Sequence, residues 1–191
     1  MALNKRRHRR GRDEVVADLY HMLGEMEGVA SPCCPQDAAV HALQCASLAV
    51  EEGAGAELVA AALVHGFGHH AGLRAAAPLA PPEVVGARWA RERLGLEVAW
   101  LVMAQAPAKL YLLGPSGRAG REGETGWELS LEHLVAHPRW GDALRLCRWD
   151  EEAKAPRART SSLPEVLGEL APLLASLPAT VGDPAVLPGV A

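Results

Sequence analysis

The sequence predicts an all-α domain, and three observations carry that reading. From Asp13 to Glu27 the apolar residues Val15, Val16, Leu19, Met22, Leu23 and Met26 recur at helical spacing. Aromatic residues make up 4% of a chain that is 49% hydrophobic, so Ala, Leu and Val must fill the core, a composition that suits closely approaching helices. No stretch carries a strand-like alternation, and there is no internal repeat. A length of 191 residues fits one domain with a sizeable core. The expected organisation is a basic, disordered arm at 1–12, one domain at 13–177 and a flexible tail at 178–191.

The elements follow in order. Asp13 and Glu14 suit the positive end of the first helix, and Gly28 stops it. Residues 29–34 read as loop, and Pro35 opens the second helix where its missing N–H does no harm. That helix runs to about Glu52. A short Gly53–Gly55 connection leads to a helix of small apolar residues ending at His65. Residues 66–80, rich in Gly, Ala and Pro, read as loop. Pro81 or Pro82 starts a helix to about Leu94, and Gly95 separates it from one beginning near Glu97 and bent or ended at Pro107. The stretch 114–126 is glycine-rich and reads as flexible. Helices are then expected at Trp127–Ala136, Trp140–Ala153 and Leu163–Leu177.

Charge and cysteine content narrow the functional classes. The net charge is −4, but Lys5, Arg6, Arg7, Arg9, Arg10 and Arg12 cluster at the start and leave an acidic body. Such an arm offers nucleic acid a contact, yet no aromatic residue interleaves it to stack on bases, and a solvated tail is the simpler reading. No run of apolar residues is long enough to cross a membrane. No secretory signal is visible, so a cytoplasmic protein is expected, with Cys33, Cys34, Cys45 and Cys147 as reduced thiols. Adjacent Cys33 and Cys34 offer a metal or redox pair, but neither a CxxC spacing nor a second pair supports it, and they read as an ordinary loop-to-helix junction.

The chemistry-bearing pattern is His41-Ala42-Leu43-Gln44 on one helix, followed by His65-Gly66-Phe67-Gly68-His69 at the end of another. With Pro35, Val85-Gly86-Ala87-Arg88-Trp89, Ala108-Lys109-Leu110-Tyr111-Leu112, the segment Asp142 to Asp150, and Ala153-Lys154, this order and spacing resembles the HD-domain superfamily. The likeness is to its branch of phosphonate-cleaving mixed-valent di-iron oxygenases, related to HD phosphohydrolases, and it spans 13–177. The resemblance implies an HD-type helical bundle and six metal-ligand positions, falling at His41, His65, Gly66, a position near Pro82, Gln105 and Asp150.

Three of those positions keep a ligating side chain: His41, His65 and Asp150. The aspartate of the His-Asp pair has become Gly66. On the substrate side the resemblance implies a proton-relaying role for His69 and anion contacts at Lys109 and Tyr111. Other substrate positions have become Ser31, Cys34 and Cys147. Two histidines and a carboxylate suffice for a mononuclear site, with iron the expected divalent ion. They do not suffice for a bridged metal pair. The expected function is a degenerate HD-domain protein with lost or altered catalysis that binds a small phosphate- or phosphonate-like ligand. The alternative is an active iron-dependent oxygenase or phosphohydrolase using the reduced site.

Competing readings stand for single residues. His41 and His65 are equally suited to hydrogen bonding within the domain. Asp150 lies between Arg148 and Lys154 and would then be an ion-pair partner of these neighbours. Lys109 would be a surface charge, His69 and His70 would face solvent, and the tryptophans would be packing residues.

Overall fold

The computed structural model describes residues 12–114, 131–157 and 159–176, and every regular element among them is helical. The basic arm, the glycine-rich stretch and the C-terminal tail lie outside the described residues, except that Arg12 opens the first helix and Gly114 is described, just past the sixth. The helices are α1 (Arg12–Met26), α2 (Ala38–Glu51), α3 (Ala56–Val64), α4 (Ala71–Ala76), α5 (Pro82–Leu94), α6 (Leu96–Leu112), α7 (Leu131–Val135), α8 (Trp140–Glu152) and α9 (Leu163–Ser176). A 3-10 turn, Phe67–His69, links α3 to α4. An isolated bridge between Ala30 and Asp37 is the one strand-like pairing among the described residues.

Helix α3 is the centre of the bundle. Every residue from Leu58 to Val64 is buried, as expected for a helix that is apolar on all sides. Helices α2, α6, α8 and α9 all contact it. The small side chains of Ala60, Ala61 and Ala62 leave room for those neighbours to approach. Larger groups fill the space around α3: Leu19 from α1, Leu101 from α6, Trp149 from α8 and Leu170 from α9 are all fully buried. Of the tryptophans expected to pack, Trp89, Trp140 and Trp149 are buried, and Trp100 stacks on His137 with ring centroids 3.8 Å apart.

The structure departs from the expected elements in three places. Pro35 does not open α2. The helix starts at Ala38, and the Asp37 carboxylate caps it by accepting from the N–H groups of Ala39 at 2.9 Å and Val40 at 3.1 Å. The preceding loop is therefore longer, and the Ser31 N–H donates across it to the Gln36 carbonyl at 2.8 Å. Second, 66–80 is not a plain loop but holds the 3-10 turn and α4, because tertiary contact with α5 holds that turn in place. Third, of the two outcomes expected at Pro107, the helix does not end there: α6 continues to Leu112.

Two glycines set the packing of this region. Gly95 sits at φ 97°, a left-handed conformation that lets α6 start immediately after α5. Gly68 lies so close to α5 that a Cβ there would stand 1.8 Å from the Pro82 carbonyl oxygen. At Gly66 a Cβ would meet nothing within 4 Å. Gly68→Ala should therefore lower unfolding free energy by about 1–3 kcal/mol, the range for overpacking, whereas Gly66→Ala should change it by less than about 1 kcal/mol. Urea unfolding of the two variants checks this, and equal effects would contradict the packing described.

Candidate metal centre

Four helices each deliver one part of a buried polar cluster. His41 lies in α2, one turn beyond its Asp37 cap, and His65 closes α3. Asp150 lies near the end of α8, and Lys109 lies near the end of α6. Asp150 is 1% exposed and His41 3%. A carboxylate that deep must be neutralised by partners. One oxygen, Oδ1, faces His41 Nε2 at 2.8 Å and His65 Nε2 at 3.2 Å. The other, Oδ2, pairs with the Lys109 ammonium.

The far side of each imidazole decides what the near side can be. His41 Nδ1 lies 3.3 Å from the Ala153 carbonyl, and His65 Nδ1 lies 2.7 Å from the Ala62 carbonyl. A carbonyl oxygen only accepts, so both Nδ1 atoms carry hydrogen. In a neutral ring Nε2 then presents a lone pair, yet both Nε2 atoms point at one carboxylate oxygen, which is also an acceptor. Either both rings take up a second proton or a cation sits among the three atoms. Metal-bound histidines turn their remote N–H to a backbone carbonyl in this way.

The spacing admits both cases. Bonds of about 2.1 Å at angles between 90° and tetrahedral place neighbouring ligand atoms about 3.0–3.4 Å apart; the His65–Asp150 separation of 3.2 Å lies in that range, and the His41–Asp150 separation of 2.8 Å is a hydrogen-bond distance. His41, His65 and Asp150 thus form a buried group able to hold a metal ion.

Without a metal the same atoms form a strong charge network. Burial pulls the His41 pKa down, but hydrogen bonds to Asp150 and Cys33 and their negative charges outweigh it, and the value rises from 6.5 to about 10. For Asp150, burial pushes upward, while the His41 and His65 hydrogen bonds and the positive charges of His65 and Lys109 hold the carboxyl far below its ordinary range. Lys109 is raised despite burial by the Asp150 charge.

These assignments replace several of the local expectations. Asp150 does not pair with its sequence neighbours: Arg148 turns outward to Glu52 at 2.6 Å, and Lys154 pairs with Glu151. Lys109 is not a simple surface charge, because its ammonium reaches the buried carboxylate. His69 is exposed, as the solvent-facing reading has it, and also borders a cavity of about 300 Å³ lined by the three-residue cluster. Its pKa is lowered by burial and then by the positive charges of His65 and Lys109. His70 is only partly exposed and pairs with Glu25 at 2.9 Å. Tyr111 stands apart from this wall, edge-on to Trp140 with ring centroids 5.5 Å apart.

Two further contributors stand at the site, and sequence reasoning set the first aside. Cys33 and Cys34 are not a plain junction: Cys33 Sγ lies 3.6 Å from His41 Nε2, and Cys34 Sγ lies 3.8 Å from His41 Nδ1. Burial pushes the Cys33 thiol upward, but hydrogen bonds to His41 and Ser31 prevail and lower it to about 7. The position of the two cysteines just ahead of the His41 helix was the available signal. The second contributor is Gln105, already at a ligand position by the resemblance; it is 8% exposed on the cavity wall, and its amide nitrogen has no partner among the described residues. It lies one turn before Lys109 on α6 and shares its face.

The charge network sets a pH dependence for chelator-treated protein. The raised His41 value contributes stability that is complete below 6.5 and lost as pH climbs toward about 10. The depressed Asp150 value contributes stability present above 3.8 and lost as pH falls below it. The melting-temperature gap between wild type and Asp150→Asn should therefore be widest near about pH 5 and shrink by about pH 10. A gap independent of pH would remove the charged pair from the account.

No described helix is long and apolar enough to cross a membrane. Comparison of the chain with family sequence models and with curated proteins gives no match.

Proposed function

We propose that this chain is a degenerate HD-type domain that holds a single divalent transition-metal ion on His41, His65 and Asp150, with the family's two-metal chemistry lost. The observation that carries this reading is the opposed tautomer geometry: two imidazoles bonded through Nδ1 to backbone carbonyls direct both Nε2 atoms at one carboxylate oxygen. The position where the resemblance calls for a bridging aspartate is Gly66, with open space around it. Gln105 stands at another ligand position, and its amide is a poor substitute for imidazole. The position near Pro82 contributes no side chain to the cavity wall, because Pro82 packs its backbone on Gly68.

A working enzyme is the second reading, and one observation favours it. The unpartnered Gln105 amide nitrogen, His69 and the Lys109 ammonium border the same cavity as the proposed ligands. That wall could orient a small anion such as a phosphate or phosphonate, with Lys109 supplying charge and Gln105 a hydrogen bond. An ion at this site would supply Lewis acidity to such a ligand.

Elemental analysis of protein purified without chelators should find at most one tightly bound transition metal per chain, and two equivalents of iron would refute the proposal. His41→Ala and Asp150→Ala should each weaken binding by more than about 100-fold, since each removes one of the proposed ligands. Thermal unfolding without metal separates that loss from misfolding. Aerobic assays with a 2-aminoethylphosphonate-type substrate should show no turnover, because ligands and orienting groups that act together are missing. Product formed by the unmodified protein would place the enzyme reading first.

A further inference from the structure

We infer that Cys33, Cys34 and His41 form a separate, thiolate-rich seat at the cavity mouth that takes a soft monovalent ion, copper(I), in three-coordinate form. The seat shares His41 with the proposed divalent centre but does not depend on His65 or Asp150. The ligand atoms of the three residues lie within 4.8 Å of one another. Metal–sulfur bonds of about 2.3 Å and a metal–nitrogen bond of about 2.0 Å at trigonal angles separate such atoms by about 3.7–4.0 Å. Cys33 Sγ already stands 3.6 Å from His41 Nε2. Cys34 Sγ, 3.8 Å from Nδ1, is the atom that must shift, by about 1 Å, and its half-exposed side chain can turn about Cα–Cβ.

The loop that carries the thiols is held at both ends. Ala30 and Asp37 pair as an isolated bridge, the Ser31 N–H donates to the Gln36 carbonyl at 2.8 Å, and the Ala38 N–H donates to the Val29 carbonyl at 2.8 Å. The two cysteines therefore sit at the tip of a narrow turn placed over the His41 ring. Ser31 Oγ stands 3.1 Å from Cys33 Sγ, in position to donate to a thiolate. Packing does not account for Cys33, because its side chain is exposed and buries little surface, unlike Cys45 and Cys147.

The donor set selects the ion. Two thiolates and one imidazole are soft to borderline ligands, and no carboxylate belongs to this group. Three donors fall one short of the tetrahedral shell that structural zinc takes, whereas they complete a trigonal copper(I) site. On binding, each thiol releases its proton to solvent and the sulfur donates a lone pair to the ion. His41 Nδ1 lies against the Ala153 carbonyl, so Nε2 alone is free to coordinate. One lone pair serves one ion, and the outer soft seat and the inner divalent seat exclude each other. Exposure runs from Cys33 at the surface through Cys34 to buried His41, an order that suits capture of an ion from solution.

Copper(I) added anaerobically to the full-length, chelator-stripped protein tests this, with a chromophoric copper(I) chelator as competitor. The expected result is one copper(I) per chain, with two sulfurs and one nitrogen around it by X-ray absorption. Cys33→Ser and Cys34→Ser should each weaken binding by more than about 100-fold, since each removes a ligand. A copper shell without nitrogen, wild-type affinity in either serine variant, or no copper(I) binding by the folded wild type would overturn the assignment. Each of those results leaves the reading of His41, His65 and Asp150 standing, because divalent metal content and Asp150→Ala test it separately. Should the serine variants fail to fold, wild-type protein still decides. Copper(I) should slow alkylation of both Cys33 and Cys34 at least tenfold, read by mass spectrometry, and protection of one or neither would refute the paired seat.

Discussion

A single carboxylate oxygen, Asp150 Oδ1, has two imidazole nitrogens within 3.2 Å and almost no access to water. An ionised group in such a place is tolerated only when the surrounding structure supplies compensating charge at close range. That requirement ties α2, α3, α6 and α8 to one point, because each contributes a group that Asp150 must face. The apolar core supplies most of the burial, but it would be satisfied by many small shifts of one helix on another. The carboxylate is less permissive, since a displacement of about 1 Å would leave a buried charge short of its partner.

The outer charges of α8 illustrate how this selectivity is achieved. Arg145 and Arg148 reach Glu52, and Lys154 reaches Glu151, all at the surface. Exposed pairs of this kind contribute little stability, but they occupy the cations that adjoin Asp150 in sequence. The buried carboxylate is left to groups from other helices, which makes it a tertiary contact and not a local one. Trp149, fully buried beside it, fixes the rotation of α8 that turns Asp150 inward.

The donors around the cavity are unevenly placed. Gly66 has open space where a Cβ would stand, and Gln105 presents an amide, neither of which brings charge or a basic nitrogen. His41, His65 and Asp150 converge on one point, with two thiols near the His41 ring. A cluster of this kind has the donors for one cation and lacks those that a second would need.

The helical class of the fold was legible in the chain because apolar spacing and the scarcity of aromatics act through local geometry, and α1, α2, α5, α8 and α9 lie close to where that periodicity places them. The cluster of His41, His65 and Asp150 was legible only through resemblance, since no local rule joins residues 109 positions apart in the chain. The sequence could not decide whether Asp150 would pair with Arg148, Lys154 or a distant lysine, because all three options satisfy the same electrostatics. Nor could it place Cys33 and Cys34, whose approach to His41 depends on Asp37 starting α2 later than Pro35 would. Residue types determine which interactions are available to this chain, and helix packing decides which of them meet, because direction and distance between side chains are properties of the assembled bundle.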